Sequence, residues 1–344
     1  MKLASFHYAG EDRIGAVAPD GSLIDLAAAE IARQGQLPAD WPRDMMALIE
    51  GGSRGLACAR AAFDWAVGNP KALPGISADR VTWQAPVRRP SKICCLALNN
   101  SANADRILSG PKHPAIFVKG SNALIGHNDA IVVKRQYGRV HPEPELAVVI
   151  GSTASNITAA AALDYVFGYT VHNDITSPTM RGEDTFHYRA IHPAADGSND
   201  IKYVDSHVSY PGRYKGSDTF SPLGPWIVTR DEIDDPHVLG VTCRHKGEIV
   251  TEDNTRNLFH KVPEVLAFIS EYMTLLPGDV VSMGTALKRV GGSGKAVQNV
   301  DLYQLGGPVS VTIEKIGTLS NTVRLFESPL AERNASVEAA STHT

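Results

Sequence analysis

The sequence is poor in the features that mark several large classes of protein. No apolar run approaches the length needed to cross a bilayer. Met1-Lys2-Leu3-Ala4-Ser5-Phe6 leads straight into an alternating strand pattern, with no signal-peptide core. A membrane partner is therefore not expected. The four cysteines, Cys58, Cys94, Cys95 and Cys243, are too few and too irregularly spaced for a disulfide scaffold. Cys94 and Cys95 fall in an apolar run, residues 93–98, and read as small buried side chains, which fits a reducing cytoplasm. Basic residues are not in excess either. Thirty-three Lys and Arg against 37 Asp and Glu give a formal net charge of −4, which leaves no basic face for nucleic acid. Lys134-Arg135 is an isolated pair. There is no fitting Gly-x-Gly-x-x-Gly unit, and Gly291-Gly292-Ser293-Gly294-Lys295 lacks phosphate-loop spacing and reads as a turn. Internal repeats and heptads are absent.

What is present describes a globular chain of 344 residues, long enough for one large domain or two. Residues 2–8 and 13–18 alternate around Ala9-Gly10-Glu11-Asp12, the pattern of a hairpin. Residues 26–34 and 44–67 have helical spacing. A polar, proline-bearing segment, Arg88-Arg89-Pro90-Ser91-Lys92, marks the expected boundary between a small N-terminal α+β domain (1–88) and a larger domain (89–326). Beyond it many short strands are separated by Gly, Pro, Asn and Asp, with helical spacing only at 159–163 and 263–275. The fold class expected is mixed α/β and β-rich, with a folded-over sheet or barrel-like core. Residues 327–344 are small and polar and read as a loose tail.

Chemistry concentrates at His141-Pro142-Glu143-Pro144-Glu145, which opens into the apolar run Leu146-Ala147-Val148-Val149-Ile150. Strand side chains alternate, so Glu143 and Glu145 point the same way at the mouth of a buried strand. Two carboxylates there repel each other and lose hydration, and a divalent cation between them relieves both. Two ordinary acids at a solvated strand end have the same spacing, and the dipeptide alone does not decide. Asp174, at the end of Gly168-Tyr169-Thr170-Val171-His172-Asn173-Asp174, offers a third carboxylate. Three carboxylates suit a hard cation: Mg²⁺ first, with Mn²⁺ and Ca²⁺ as alternatives. His141 and His172 read as hydrogen-bonded residues outside the ligand set.

These motifs, with Lys215-Gly216-Ser217-Asp218-Thr219-Phe220-Ser221-Pro222-Leu223-Gly224-Pro225-Trp226, Asn254-Thr255-Arg256-Asn257-Leu258-Phe259, Leu276-Pro277-Gly278-Asp279-Val280 and Gly284-Thr285, resemble the fumarylacetoacetate hydrolase family over about residues 90–325. The resemblance implies a metal held by Glu143, Glu145 and Asp174. It implies a small oxo-acid substrate: a 2-oxo or 2,4-dioxo acid chelated through its carboxylate and 2-oxo group, with the enolate stabilised by the metal. C–C bond hydrolysis is the activity it favours, with decarboxylation or enol–keto isomerisation as the alternative and a catalytically silent homologue as a third. Lys215 matches the family's active-site lysine, Lys119 a lysine near the pocket, and Thr285 a substrate-contacting threonine. A homodimer is expected on the same basis.

One stretch departs from the family pattern. Hydrolytic members carry a lid with a His–Glu pair that activates water. Here the aligned stretch is Ala97-Leu98-Asn99-Asn100-Ser101-Ala102-Asn103-Ala104-Asp105-Arg106, with Asn103 at the histidine position and Arg106 at the glutamate position. Asparagine cannot accept a proton near neutral pH, which leaves Asn103 as a substrate contact and Asp105 as the neighbouring candidate acid. A long connection between Asp174 and Lys215 holds Arg181, Glu183, Asp184, His187, Tyr188, Arg189, His192 and His207. It reads as a loop that reshapes the pocket, with His187 as candidate replacement base, or as an exposed dimer contact.

Overall fold

The computed structural model describes residues 1–101, 107–287 and 296–326. Its backbone is an eleven-stranded sheet with Pro144–Ile150 among its central strands. That strand lies antiparallel to Val166–Asn173 on one side and to Val280–Ser282 on the other. Outward from Val166–Asn173 come Ser221–Thr229 and then Lys2–Tyr8, Glu11–Val17 and Leu23–Asp25. Outward from Val280–Ser282 come Ile93–Ala97 and Ala115–Lys119. The first strand of the chain thus pairs directly with residues 227 and 228, and one sheet runs from the N-terminal segment through the site-bearing strands.

Pro144–Ile150 is buried at every position because the sheet is covered on both faces, which explains a run of apolar residues without alternation. Leu146, Val148 and Ile150 pack into the main core with a second, five-stranded sheet, to which Val241, Cys243, Val309 and Val311 belong, and with the helix Val262–Tyr272. Val149, Phe167 and Ile227 face the other way, onto the helices Leu26–Gln34, Met45–Glu50 and Gly52–Gly68. Gly168 stands where the Val166–Asn173 ladder shifts register; a Cβ there would lie 2.3 Å from the Val228 carbonyl oxygen. Only a glycine lets these two strands approach.

Both large sheets are open among the described residues, each ending on different edge strands, so the core folds over by stacking sheets and does not close as a barrel. The helical spacing at 44–67 divides into two helices, because Gly52 takes φ +53° and interrupts the hydrogen-bond ladder. The 159–163 segment is a 3-10 turn within Ala159–Tyr165. The connection read as a loop contains the helix Pro178–Glu183, a two-stranded ribbon of Thr185–Pro193 and Ile201–Ser209, and the helix Gly212–Gly216. The ribbon is exposed on both faces, so its sequence has no apolar–polar alternation to reveal strands. No helix of the described residues is long and apolar enough to cross a membrane. The Gly291–Lys295 turn and the 327–344 tail lie outside the described residues.

Candidate metal centre

Strand pairing assembles the acids. His172 sits directly opposite Glu145, and Asn173 opposite Pro144. The ladder continues past the strand ends: the Asp174 amide donates to the Glu143 carbonyl (2.9 Å), and the Glu143 amide to Asn173 Oδ1 (3.0 Å). His141 and Thr176 exchange both backbone bonds. Glu143, Glu145 and Asp174 are thereby brought together with one carboxylate oxygen from each within 4.8 Å of the others. Glu145 and Asp174 are buried, and Glu143 is half-buried at the rim.

Two lysines cross this cluster. Lys215 Nζ donates to Asp174 Oδ2 (2.5 Å) and Glu143 Oε2 (2.6 Å), and lies 5.0 Å from the centre of the Phe117 ring. Lys119, whose side chain has no exposure, donates to Asp174 Oδ1 and to the Phe220 carbonyl. Burial disfavours the charged form of each group, but the charges oppose it unevenly. At Asp174, burial pushes the pKa up, and Lys119 and Lys215 override it and hold the carboxyl far below its usual range. At Lys215, burial pushes down, and Asp174, Glu143 and Glu145 override it and keep the ammonium charged. Glu145 touches neither lysine; burial, then the charge of Asp174, pushes it up to about 8.

Glu145 is instead oriented from behind by neutral groups. Its Oε2 accepts from Ser282 Oγ and from the Gly284 amide (3.1 Å), and its Oε1 from Thr285 Oγ1 (3.3 Å). With Glu145 ionised, Ser282 spends its proton on it, so the Ser282 oxygen accepts from His172 Nδ1 (2.7 Å), and His172 Nε2 accepts from Ser221 Oγ (2.7 Å). His172 is therefore the neutral Nδ1–H tautomer; burial and then Lys119 push its pKa down to about 3. Every proton in this buried chain points toward the carboxylate. The 283–286 segment is held along the acid strand by two amide bonds, Met283 to the Leu146 carbonyl and Ala286 to the Pro144 carbonyl (both 2.9 Å). Gly284 turns there with φ +93°, where a Cβ would meet Asn99 Cβ at 2.8 Å. Asp253 braces the next residues, accepting from Leu287 N (2.9 Å), Asn100 Nδ2 (3.0 Å) and Asn257 Nδ2 (2.6 Å).

The cluster opens onto a cavity of about 820 Å³, walled by Leu96, Ile116 and Phe117 and also lined by Glu143, Glu145, Lys215 and Thr285. Lys119 is turned onto Asp174 and away from this space. His187 is exposed on the ribbon and does not line the cavity; its cross-strand partner His207 does, with the ring centres 5.8 Å apart. His141 also lines it, with Nε2 3.9 Å from Glu143 Oε1; its Nδ1 approaches the Pro142 carbonyl (3.1 Å), and burial lowers its pKa. Asn103 and Asp105 lie outside the described residues. Arg181, one of the residues of the long connection, is another cavity residue, whereas the His172–Ser282 chain was not singled out from sequence. The pairing of His172 with Glu145 was available from strand register alone. The contact with Ser282 needed the third strand.

The donor set fits a hard divalent cation: oxygen atoms only, close enough for one ion to span, with Asp174 held ionised by two lysines. Comparison with known proteins agrees with this chemistry. The model of the fumarylacetoacetate (FAA) hydrolase C-terminal domain matches residues 92–324. The chain is 33% identical over 283 residues to the mitochondrial oxaloacetate tautomerase Fahd2a of Rattus norvegicus, covering 82% of this chain and 80% of that one. Among solved structures, it resembles maleylpyruvate hydrolase from Sphingobium sp. SYK-6 in complex with manganese(II) and pyruvate (27% identity, TM-score 0.66, 95% of this chain and 100% of the other). It also resembles 5-carboxymethyl-2-hydroxymuconate delta-isomerase from Mycobacterium smegmatis (25%, TM-score 0.63, 95% and 100%). By fold, motif order and overall similarity, the chain belongs to the fumarylacetoacetate hydrolase family.

Proposed function

We propose that this protein is a divalent-metal-dependent enzyme that interconverts the keto and enol forms of a small 2-oxo acid. The observation that carries the reading is the buried three-carboxylate cluster crossed by Lys215 at the wall of the cavity. A divalent cation held by Glu143, Glu145 and Asp174 supplies a Lewis acid opposite the negative charge that develops on an enolising oxo acid. Lys215, kept charged by its carboxylates, places an ammonium in the cavity where it can donate to a substrate oxygen. Thr285 presents a hydroxyl beside Glu145, and Leu96, Ile116 and Phe117 exclude water from one side. In the reaction the C3 proton passes to solvent water, the C3–H electron pair becomes the C2=C3 π bond, the C2=O π pair moves onto oxygen, and that oxygen takes a proton from solvent, with no net oxidation. The similarity to oxaloacetate tautomerases, which extends to 94% of this chain for the Bos taurus FAHD2A protein at 31% identity, supports this choice.

C–C bond hydrolysis is the second reading, favoured by the likeness to the maleylpyruvate hydrolase structure. It demands a base that activates water, and Asn103 stands where the family's lid histidine is expected. Among the described residues, the histidines in the cavity wall are His141 and His207. The test is a panel of 2-oxo and 2,4-dioxo acids with Mg²⁺ or Mn²⁺, run beside Glu143→Ala, with products identified by mass spectrometry and tautomerisation followed by ultraviolet absorbance. Metal-dependent tautomerisation without cleavage, lost in the variant, supports the first reading. Cleavage with solvent oxygen incorporated replaces it with the second. Loss of CO₂ replaces both with decarboxylation.

A further inference from the structure

We infer that Arg181 and His207 form a second anion subsite in the cavity, which selects 2-oxo acids bearing a distal carboxylate; this rests on the enolising reading above. Both residues line the same cavity as Glu143, Glu145, Lys215 and Thr285. Both belong to the 178–209 insertion, whose effect on the pocket is otherwise unexplained.

Arg181 is held on a firm base. The helix Pro178–Glu183 begins four residues after Asp174 and packs on the helix Gly212–Gly216, which presents Tyr214 and Lys215. Ser177 caps the first helix, accepting from Met180 N (3.1 Å) while donating to the Tyr137 carbonyl (2.6 Å), and its own amide donates to the Tyr214 carbonyl (3.1 Å). The acids near Arg181 are already engaged: Arg213 Nη2 donates to Glu183 Oε2 (2.7 Å) and Asp184 Oδ1 (2.8 Å). The Arg181 guanidinium therefore has no carboxylate partner among the described residues, although it lines a cavity that holds an acid cluster. Tyr214, whose hydroxyl burial makes less acidic, lines the same cavity as Arg181, Lys215 and Glu143 and feels their charges.

His207 reaches the cavity from the ribbon. The ribbon is pinned at its base by the contact between Thr185 Oγ1 and Ser209 Oγ (2.6 Å), and the His187 ring lies beside His207, its centre 5.8 Å away. An imidazole N–H and a guanidinium fork together make a carboxylate clamp. The charges agree. With all three carboxylates ionised, as a bound cation requires, they and the two ammoniums sum to one negative charge, which a divalent cation would turn into one positive charge, matched by the substrate's first carboxylate. Arg181 supplies the positive charge for a second.

The experiment uses the full chain loaded with Mg²⁺ and two matched pairs of acids: oxaloacetate with 2-oxobutanoate, and 2-oxoglutarate with 2-oxopentanoate. Each pair differs in a distal carboxylate against a methyl group. Enolisation is followed by ultraviolet absorbance or deuterium uptake at C3, and binding of the 2-oxoglutarate pair by calorimetry. The wild type is expected to prefer the dicarboxylate by about 10- to 100-fold in kcat/KM and in Kd. Arg181→Ala should reduce that preference by about the same factor, through KM, and His207→Ala by about 3- to 10-fold. Arg189→Ala, an exposed ribbon residue paired with Asp205 outside the cavity, should leave the preference intact. Equal handling of each pair by wild type, or a preference that survives in Arg181→Ala, overturns the subsite while the enolising reading stands. Should no acid enolise, that reading fails by itself. The calorimetric preference then decides: its loss in Arg181→Ala upholds the subsite, and its absence in wild type overturns it.

Discussion

Glu145 should make metal binding steeply dependent on pH. Its carboxyl is pushed up to about 8 by burial and then by the charge of Asp174, whereas Asp174 is kept ionised by two lysines. In the metal-free protein the last carboxyl proton of the cluster is thus held at Glu145. A cation must displace it. At pH 6 about 99% of the protein carries that proton and at pH 9 about 9%, so the apparent affinity for Mg²⁺ or Mn²⁺ should rise about 100-fold across this range, or about 2.7 kcal/mol. Near pH 7, binding should release about 0.9 proton. Calorimetric titration in buffers of different ionisation enthalpy measures both quantities. An affinity that is flat from pH 6 to 9, with no buffer dependence of the heat, would refute the assignment and mean that Glu145 is ionised before the cation arrives.

The same shift has a consequence for stability whose sign can be worked out. A carboxyl raised in the folded state above its ordinary 4.5 contributes stability that is complete below that value and lost as pH rises through about 8. The metal-free protein should therefore melt at progressively lower temperature as pH rises from 7 to 8, with the fall levelling off above that, and saturating Mn²⁺ should remove the trend. Asp174 and His172, the carboxyl and imidazole beside Glu145, do not interfere in this window. Asp174, depressed by its lysines, withdraws stability only as pH falls below the ordinary carboxyl range. His172, whose pKa lies near 3 in the folded chain, does so only as pH falls below its ordinary 6.5.

Lys119→Met should destabilise the metal-free protein by about 3–5 kcal/mol in chemical denaturation, because it breaks a fully buried ion pair and leaves Asp174 short of one cation. Part of that loss should return on adding Mn²⁺. Ser282→Ala removes a donor from Glu145 and the partner of His172 Nδ1, and is expected to weaken metal binding by about 10- to 100-fold in calorimetry with the circular dichroism spectrum unchanged. Gly168→Ala forces a Cβ to within 2.3 Å of the Val228 carbonyl and should cost about 1–3 kcal/mol in thermal denaturation, with wild-type metal affinity if the strands re-space locally.

What could be read from the sequence divides along a physical line. Local features were legible: the acid strand declared itself by an unbroken apolar run, since both of its faces are covered. Gly52 marked a break that helical spacing alone overlooked, because periodicity counts apolar positions and ignores the backbone conformation between them. The carboxylate cluster was approachable for the same reason, as Glu143 and Glu145 are neighbours in sequence and Asp174 closes the adjacent strand. Contacts between distant segments left no such trace. Ser282 lies 137 residues from Glu145, and Lys119 lies 55 from Asp174; each reaches its carboxylate only because sheet order places its strand or loop there. The ribbon shows the limit most clearly. With both faces exposed, its residues answer to no core, so neither alternation nor composition distinguishes the histidine that reaches the cavity from the one that does not. His187 and His207 stand opposite each other in one register, and the cavity meets only the second. Which of two paired histidines faces the chemistry depends on how the ribbon sits against the cavity, and that is a property of the assembled fold.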